Sequence, residues 1–131
     1  MLSETPLIAV VDDDESVREA TKGLMRSMGF AVEVFPSGED FLKSPDLSHT
    51  ACLVADINMP GMSGLDLHDH VSALEKRIPT ILMTAYPNDW NRKRALAAGV
   101  RCYLIKPFSE DELFNCIRKA LERHEKRGSK Q

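Results

Sequence analysis

The stretch "IAVVDDDESV", residues 8–17, joins an apolar run to four consecutive acids. The apolar half is typical of a strand buried on both faces of a parallel sheet. The acidic half is unusual because adjacent carboxylates repel one another, which suggests that a positive group sits among them. The same acids are also typical of a helix N-terminus, where they cap free backbone amides. Both interpretations are open at this point.

Apolar runs and helical patterns alternate five times along the chain, which predicts an α/β fold built on a parallel sheet. The run at residues 31–35 alternates apolar and polar residues, so it is expected to be a half-exposed edge strand. Right-handed crossovers predict a (βα)5 doubly wound five-stranded sheet of order 2-1-3-4-5. The strands are predicted at residues 7–11, 31–35, 51–55, 80–83 and 102–105.

The segments between the strands carry helix signals. An apolar stripe at helical spacing marks the first helix, and Gly29 is expected to end it in the left-handed conformation. Two later serines each precede an acid by three residues, which is the spacing of a capping box. The stripe is Val17, Ala20, Leu24 and Met28, and the pairs are Ser37 with Asp40 and Ser109 with Glu112.

Length and composition predict a single soluble globular domain. The chain has 131 residues, of which 43% are hydrophobic and 28% charged. A net charge of -3 argues against nucleic acid contact by this domain itself. No apolar run approaches the roughly 20 residues that cross a membrane, and the N-terminus lacks the pattern of a secretion signal. We therefore expect a cytoplasmic protein with no membrane partner.

The cysteines and histidines do not form an evident metal motif. Cys52, Cys102 and Cys116 are odd in number and widely spaced, which favours reduced core thiols over disulfides or a zinc site. His68 and His70 stand two apart, so on a helix they face different directions. These two histidines, together with His49 and His124, are predicted to lie on the surface.

Chemically active side chains follow four of the predicted strands. Asp12 and Asp13 follow the first strand, Asp56 the third, Thr84 the fourth and Lys106 the fifth. A parallel sheet brings the carboxyl ends of its strands to one rim, where the functional crevice of such folds lies. Each residue alone is typical of a cap, a turn or solvent-exposed surface. Their coincidence at the strand ends favours a functional site.

The residue types at this rim predict phosphoryl chemistry. Three carboxylates within about 5 Å would repel by roughly 3 kcal/mol per ionised pair at an effective dielectric near 20, so they require a cation or a raised pKa. Hard oxygen ligands of this kind favour Mg²⁺. Lys106 and the Thr84 hydroxyl suit phosphoryl oxygens, and Asp56 between metal and lysine suits a nucleophile that forms an acyl phosphate.

Four motifs together resemble the receiver domain of a bacterial two-component response regulator. They are "VVDDDE", "VADINMPGMSGLDL", "ILMTAY" and "YLIKPF", in that order, and the resemblance covers residues 6 to about 122. It implies that Asp56 accepts a phosphoryl group from a sensor histidine kinase or a phosphotransfer protein. It also implies that the doubly wound sheet is of the CheY-like or flavodoxin-like class. The domain would be a signalling domain and not an enzyme, with slow self-dephosphorylation at most.

The resemblance assigns further roles by position. Asp13, Asp56 and the backbone carbonyl of Asn58 would bind Mg²⁺, with Asp12 acting chiefly through coordinated water. Thr84 and Lys106 would bind the phosphoryl oxygens, and a cis peptide between Lys106 and Pro107 would aim the lysine inward. Tyr103 would be the switch residue. Its ring would turn inward when Thr84 moves, and the surface of the fourth helix, fifth strand and fifth helix would change shape.

Partners and output are expectations of the same kind. Residues 1–122 are predicted to be the receiver domain, and residues 123–131 a helix end, tail or linker. The chain resembles FixJ- or NarL-like regulators, which control transcription, and also stand-alone receivers; homodimerisation on phosphorylation is a further expectation. The cationic run from Arg92 to Arg94 is predicted to be a solvated helix face, and it makes the fourth helix more polar than in FixJ-type relatives, which argues against a dimer through that helix. Trp90 in the same helix could still anchor a partner.

The alternative from another class is a Mg²⁺-dependent aspartyl-phosphate phosphatase of the haloacid dehalogenase type. That family shares the nucleophilic aspartate and the lysine. Its nucleophile strand carries the pattern D-x-D-x-T, whereas this chain has "DINMP" at residues 56–60, without a second acid two positions on.

Overall fold

The computed structural model describes residues 5–74 and 77–129, with side chains through residue 122. Strands and helices alternate along the chain, and a short 3₁₀ turn at Leu47–His49 precedes the third strand. The strands are β1 Leu7–Val11, β2 Ala31–Phe35, β3 Thr50–Asp56, β4 Thr80–Thr84 and β5 Cys102–Ile105. The helices are α1 Glu15–Ser27, α2 Gly38–Leu42, α3 Gly64–Ser72, α4 Asp89–Ala97 and α5 Glu110–Ser129.

The five strands form one parallel sheet in the order β2-β1-β3-β4-β5, as predicted. β2 is an edge strand and buries only Val32 fully, which agrees with its alternating pattern. β3 and β4 lie inside the sheet and are almost entirely buried, because helices cover both faces. This order places the end of β3 between the ends of β1 and β4.

The core has two layers, one on each face of the sheet. Alternate residues of each strand point to opposite faces, so neighbours such as Leu53 and Val54 belong to different layers. One layer packs the sheet against α2, α3 and α4 through residues that include Phe41, Leu67 and Ala95. The other packs it against α1 and α5, largely through Met25, Leu113, Ile117 and Ala120.

Local capping residues begin and end the helices. Ser37 caps α2 by accepting a hydrogen bond from the Asp40 amide, and Ser109 and Glu112 exchange the two bonds of a capping box. Ser63 and Asp66 form a second box at α3. Gly29 follows α1 with φ +97°, a conformation that favours glycine, so the predicted end of this helix is confirmed.

One sequence prediction about burial is wrong, and the buried face of α1 does not coincide with its apolar stripe. Ala20 is exposed on α1, and Thr21 occupies the buried face instead. Thr21 is tolerated there because its hydroxyl donates to the Val17 carbonyl at 2.8 Å. His68 is also buried rather than on the surface, and its Nε2 lies 3.1 Å from the Ala98 carbonyl oxygen. His70 and His49 are exposed as predicted, and the side chain of His124 lies outside the described residues.

Among the described residues, none of the helices combines the length and the apolar character needed to cross a membrane.

Candidate functional site

Three carboxylates meet at the carboxyl ends of two neighbouring strands. β1 and β3 pair in parallel with Val11 opposite Ala55, so Asp12 and Asp56 follow at matching positions. One oxygen from each of Asp12, Asp13 and Asp56 lies within 4.8 Å of the others. Asp12 is fully buried and Asp56 is 7% exposed, whereas Asp13 faces solvent. The predicted cluster is therefore present in the structure.

Asp12 is the most deeply placed acid of the cluster. Burial raises the pKa of its carboxyl group, although hydrogen bonding and the positive charge of Lys106 act in the opposite direction. One carboxylate oxygen accepts a hydrogen bond from the Asp14 amide at 2.9 Å, and the other lies 3.3 Å from the Lys106 ammonium. The pKa of Asp12 is raised overall, so the ionised form of its carboxyl group is disfavoured in the folded chain.

Lys106 supplies the positive group among these acids. Its Nζ donates to Asp56 Oδ2 at 2.8 Å and to Asp12 Oδ2 at 3.3 Å. Burial alone would lower the pKa of this lysine, but the hydrogen bond to Asp56 and the charge of Asp12 outweigh it and raise the pKa. The lysine is thus held in its charged form. The Lys106–Pro107 peptide is cis, as predicted.

The second oxygen of Asp56 and the Thr84 hydroxyl belong to a chain of hydrogen bonds on the other side of the site. Asp56 Oδ1 accepts from the Asn58 amide at 2.8 Å. Thr84 Oγ1 donates to the Asn58 side-chain oxygen at 2.5 Å and accepts from the Tyr86 amide at 2.9 Å. Asn58 therefore connects Asp56 to Thr84, through its backbone amide on one side and its side-chain oxygen on the other.

Tyr103 lies outside this hydrogen-bonded group. It is the β5 partner of Leu82 in β4, and its ring packs against the core layer under α3 and α4. The hydroxyl is shielded from solvent, and no hydrogen-bond partner for it occurs among the residues described. The ring therefore already points its polar end into the protein in this structure.

Sequence analysis missed two residues that support the site. Arg18 in α1 donates through Nη1 to the Asp12 carbonyl at 2.8 Å and so helps fix the backbone of the acidic run. Gly64 begins α3, and a Cβ there would lie 2.6 Å from the Asp56 carbonyl oxygen. Its position directly after the capping Ser63 is the signal that could have indicated a close approach of helix and strand.

Comparison with known proteins places these features in a family. The chain matches the response regulator receiver domain family over residues 8–118. It is 38% identical over 122 residues to the response regulator protein TodT of Pseudomonas putida, which covers 93% of this chain and 54% of that protein. Nodulation protein W of Bradyrhizobium diazoefficiens is 37% identical over 125 residues, covering 95% of this chain and 55% of that protein.

A solved structure gives the same result. The low-resolution structure of the response regulator StyR superposes with a TM-score of 0.84 at 39% identity, covering 96% of this chain and 66% of that chain. The protein belongs to the response regulator receiver domain family, the phosphoacceptor signalling switches of two-component systems. The chain spans about half the length of the curated relatives it matches. These matches do not support the haloacid dehalogenase-type phosphatase, and that alternative is dropped.

Proposed function

We propose that Asp56 is the phosphoryl acceptor, and that its donor is a phosphohistidine of a sensor kinase or phosphotransfer protein. The observation that carries the proposal is the position of the Asp56 carboxylate, 2.8 Å from the Lys106 ammonium and grouped with Asp12 and Asp13. A nucleophilic carboxylate oxygen attacks phosphorus, the phosphorus–nitrogen bond of the donor breaks, and an acyl phosphate remains on Asp56. Lys106 stays close to the charge that develops on the phosphoryl oxygens.

The acidic cluster fits Mg²⁺ by its chemistry. Its three carboxylates offer hard oxygen ligands within 4.8 Å of one another, and Lys106 alone cannot balance their charge. Asp13, Asp56 and the backbone carbonyl of Asn58 would hold the ion, with Asp12 acting through water. When bound, Mg²⁺ neutralises part of the charge on the phosphoryl group, so that an anionic donor can approach an anionic acceptor.

The switch follows from the residues around Asp56. Thr84 Oγ1, which donates to Asn58 in this structure, turns to donate to a phosphoryl oxygen. The Tyr103 ring, whose hydroxyl is already buried in this structure, shifts further into the space that Thr84 leaves. This repacking alters the surface of α4, β5 and α5, where Trp90 and Ile105 are exposed.

The wider role is that of a cytoplasmic signalling domain, not an enzyme, with slow self-dephosphorylation at most. Residues 1–122 form the receiver, and residues 123–131 are a helix end, tail or linker. Control of transcription is the output that we propose for a longer protein containing this domain, because the transcriptional regulatory protein FixJ of Bradyrhizobium diazoefficiens is 34% identical to this chain over 119 residues. The domain itself contacts no nucleic acid and no membrane, and dimerises when phosphorylated.

Intact-mass measurement after treatment with acetyl phosphate and Mg²⁺ tests the acceptor. The wild-type chain should gain one phosphoryl group, and Asp56→Asn should gain none because an amide is a poor nucleophile. Asp111→Asn, which changes an exposed acid at the start of α5, is the matched control and should react like the wild type. A phosphoryl adduct that persists in Asp56→Asn places the acceptor elsewhere and overturns the proposal.

A further inference from the structure

Two of the three cysteines meet on the face of the sheet that is covered by α5. Cys102 begins β5 and Cys116 lies in α5, and both pack against the same core layer. Their thiols are hydrogen-bonded to each other, and both side chains are partly exposed. Cys52 on β3 is fully buried in that layer. All three are free thiols, so the pair is in its reduced form.

The two paired thiols are chemically unequal. The hydrogen bond from Cys116 lowers the pKa of Cys102 to about 7, more than burial raises it, and the charge of Lys119 adds to the effect. The same interaction raises the pKa of Cys116. Burial raises the pKa of Cys52 to about 12, which leaves it inert near neutral pH. Because thiolates are the reactive form, Cys102 is the nucleophile of the three.

We propose that Cys102 and Cys116 form an oxidation site, at which hydrogen peroxide converts the two thiols into an intramolecular disulfide. The contact between the thiols, their partial exposure and their location on two different elements carry this inference. Redox-sensing cysteines share these properties, being accessible, thiolate-forming and next to a resolving thiol. The site is separate from the phosphoacceptor and does not depend on it.

The reaction balances in two steps. The Cys102 thiolate attacks one oxygen of the peroxide, the oxygen–oxygen bond breaks, and a sulfenic acid forms while hydroxide takes up a proton to leave as water. The Cys116 sulfur then attacks the sulfur of the sulfenic acid, and its thiol proton leaves with the hydroxyl group as a second water. Peroxide is reduced to two waters, and two thiols are oxidised to one disulfide.

The disulfide would join α5 covalently to β5. Cys102 directly precedes Tyr103, and the same strand leads to Lys106. Since the two thiols are already hydrogen-bonded, the disulfide forms between side chains that face each other across β5 and α5. Oxidation would therefore restrain the helix against the strand that carries the proposed switch residue.

Peroxide titration of the reduced chain, followed by intact mass and peptide mapping, tests the site. The wild type should lose the mass of two hydrogen atoms, with the linkage mapped to Cys102 and Cys116. Cys52→Ala is the matched control and should oxidise in the same way, because the buried thiol takes no part. Cys116→Ser should stop at a sulfenic acid on Cys102, which dimedone traps.

A measurement on the unaltered chain keeps the test independent of folding defects in the variants. Under limiting iodoacetamide at neutral pH, Cys102 should be alkylated at least about tenfold faster than Cys52. The proposal is overturned if the mapped linkage includes Cys52 or if the chain stays reduced at peroxide concentrations that oxidise a free thiol. It also fails if Cys52 is alkylated as fast as Cys102.

Discussion

Asp12, Asp13 and Asp14 are adjacent in the chain, yet each side chain has a different environment. Asp12 is fully buried beside Lys106, and Asp13 is exposed at the edge of the cluster. Asp14 caps α1 by accepting a hydrogen bond from the Val17 amide at 3.1 Å. The acidic run is therefore both a helix cap and part of a site, because successive residues at the end of a strand point in different directions.

The raised pKa of Asp12 predicts that this carboxylate destabilises the metal-free fold at neutral pH. When the pH is well below 3.8, the ordinary pKa of this carboxyl, Asp12 is protonated in both the folded and the unfolded chain. Under these acidic conditions Asp12 therefore does not destabilise the fold. Above that value the unfolded chain ionises first, and stability falls as pH rises toward the folded pKa. Asp12→Asn should therefore be more stable than the wild type at pH 7 in the absence of metal.

Urea unfolding in the presence of a chelator, repeated from pH 3 to pH 7, measures this difference. The stability gain of Asp12→Asn should be near zero at the acid end and should grow as the pH rises. A variant that is less stable than the wild type at pH 7 would contradict the assignment of burial as the dominant effect.

Substitution of Gly64 tests the close contact between α3 and the backbone of Asp56, and Gly23 provides a matched control without such a contact. In Gly64→Ala the new Cβ would meet the Asp56 carbonyl oxygen at 2.6 Å, so α3 must move away from the end of β3. We expect a loss of about 1–3 kcal/mol and slower phosphorylation by acetyl phosphate. In Gly23→Ala no atom lies within 4 Å of the new group, and the α1 position should gain about 0.5–1 kcal/mol.

Thermal and urea unfolding of the two variants measures the stabilities, and intact mass follows their phosphorylation. Equal changes in stability for the two substitutions would show that a glycine at position 64 is not needed for the approach of α3 to the Asp56 backbone.

Among the helices, α4 has the least apolar contact with the sheet. All nine of its residues are described, and Ala95 alone is buried. Arg94 instead joins it to α3 through ion pairs with Asp69 at 3.0 Å and Asp66 at 3.4 Å. Arg92, Lys93 and Arg94 are all exposed, so the prediction of a solvated cationic face is confirmed, and Arg94 pairs with α3 at the surface. Weak apolar attachment leaves α4 free to open locally.

Hydrogen exchange should report this weak attachment directly. The α4 amides should exchange faster than those of α1, and Arg94→Gln should increase their exchange further by removing the tie to α3. Global stability should change by less than about 1 kcal/mol, since the ion pairs are exposed to solvent. Arg92→Gln, an exposed change in the same helix, is the matched control. Protection in α4 equal to that in α1 would contradict this view of the helix.

The central sheet couples the acidic site to the stability of the whole domain. Its strands contribute side chains to both core layers, so neither layer can unfold alone. A ligand that binds only the folded chain must then stabilise the whole domain. Mg²⁺ at ten times its dissociation constant should raise the free energy of unfolding by about 1.4 kcal/mol.

Asp13→Asn should remove most of this Mg²⁺ effect. Asp13 is exposed, so the substitution should leave the metal-free stability nearly unchanged while taking away one ligand. Urea unfolding followed by circular dichroism, with and without MgCl₂, measures both quantities. Glu15→Gln changes a nearby exposed acid outside the cluster and should keep the full response. An unchanged Mg²⁺ response in Asp13→Asn would place the ion elsewhere.

The local features of this protein could be read from its sequence. Strand periods, serine caps and Gly29 depend on neighbouring residues. Their patterns therefore predicted the five strands to within one residue, the starts of α2 and α5 and the end of α1. The parallel order then followed from chain handedness, and it brought Asp12, Asp56 and Lys106 to one rim.

Tertiary structure alone decided the features that depend on contacts between distant segments. His68 is buried because the loop after α4 covers it, and Gly64 is needed because α3 approaches the backbone of Asp56. Cys102 was predicted to be a reduced core thiol, and it meets Cys116 only because α5 returns across β5. The sequence determined which residues form strands, helices and the acidic site, since those depend on local pattern and chain handedness. Packing decided which side chains touch, since that depends on the shapes of surfaces that meet only in the folded chain.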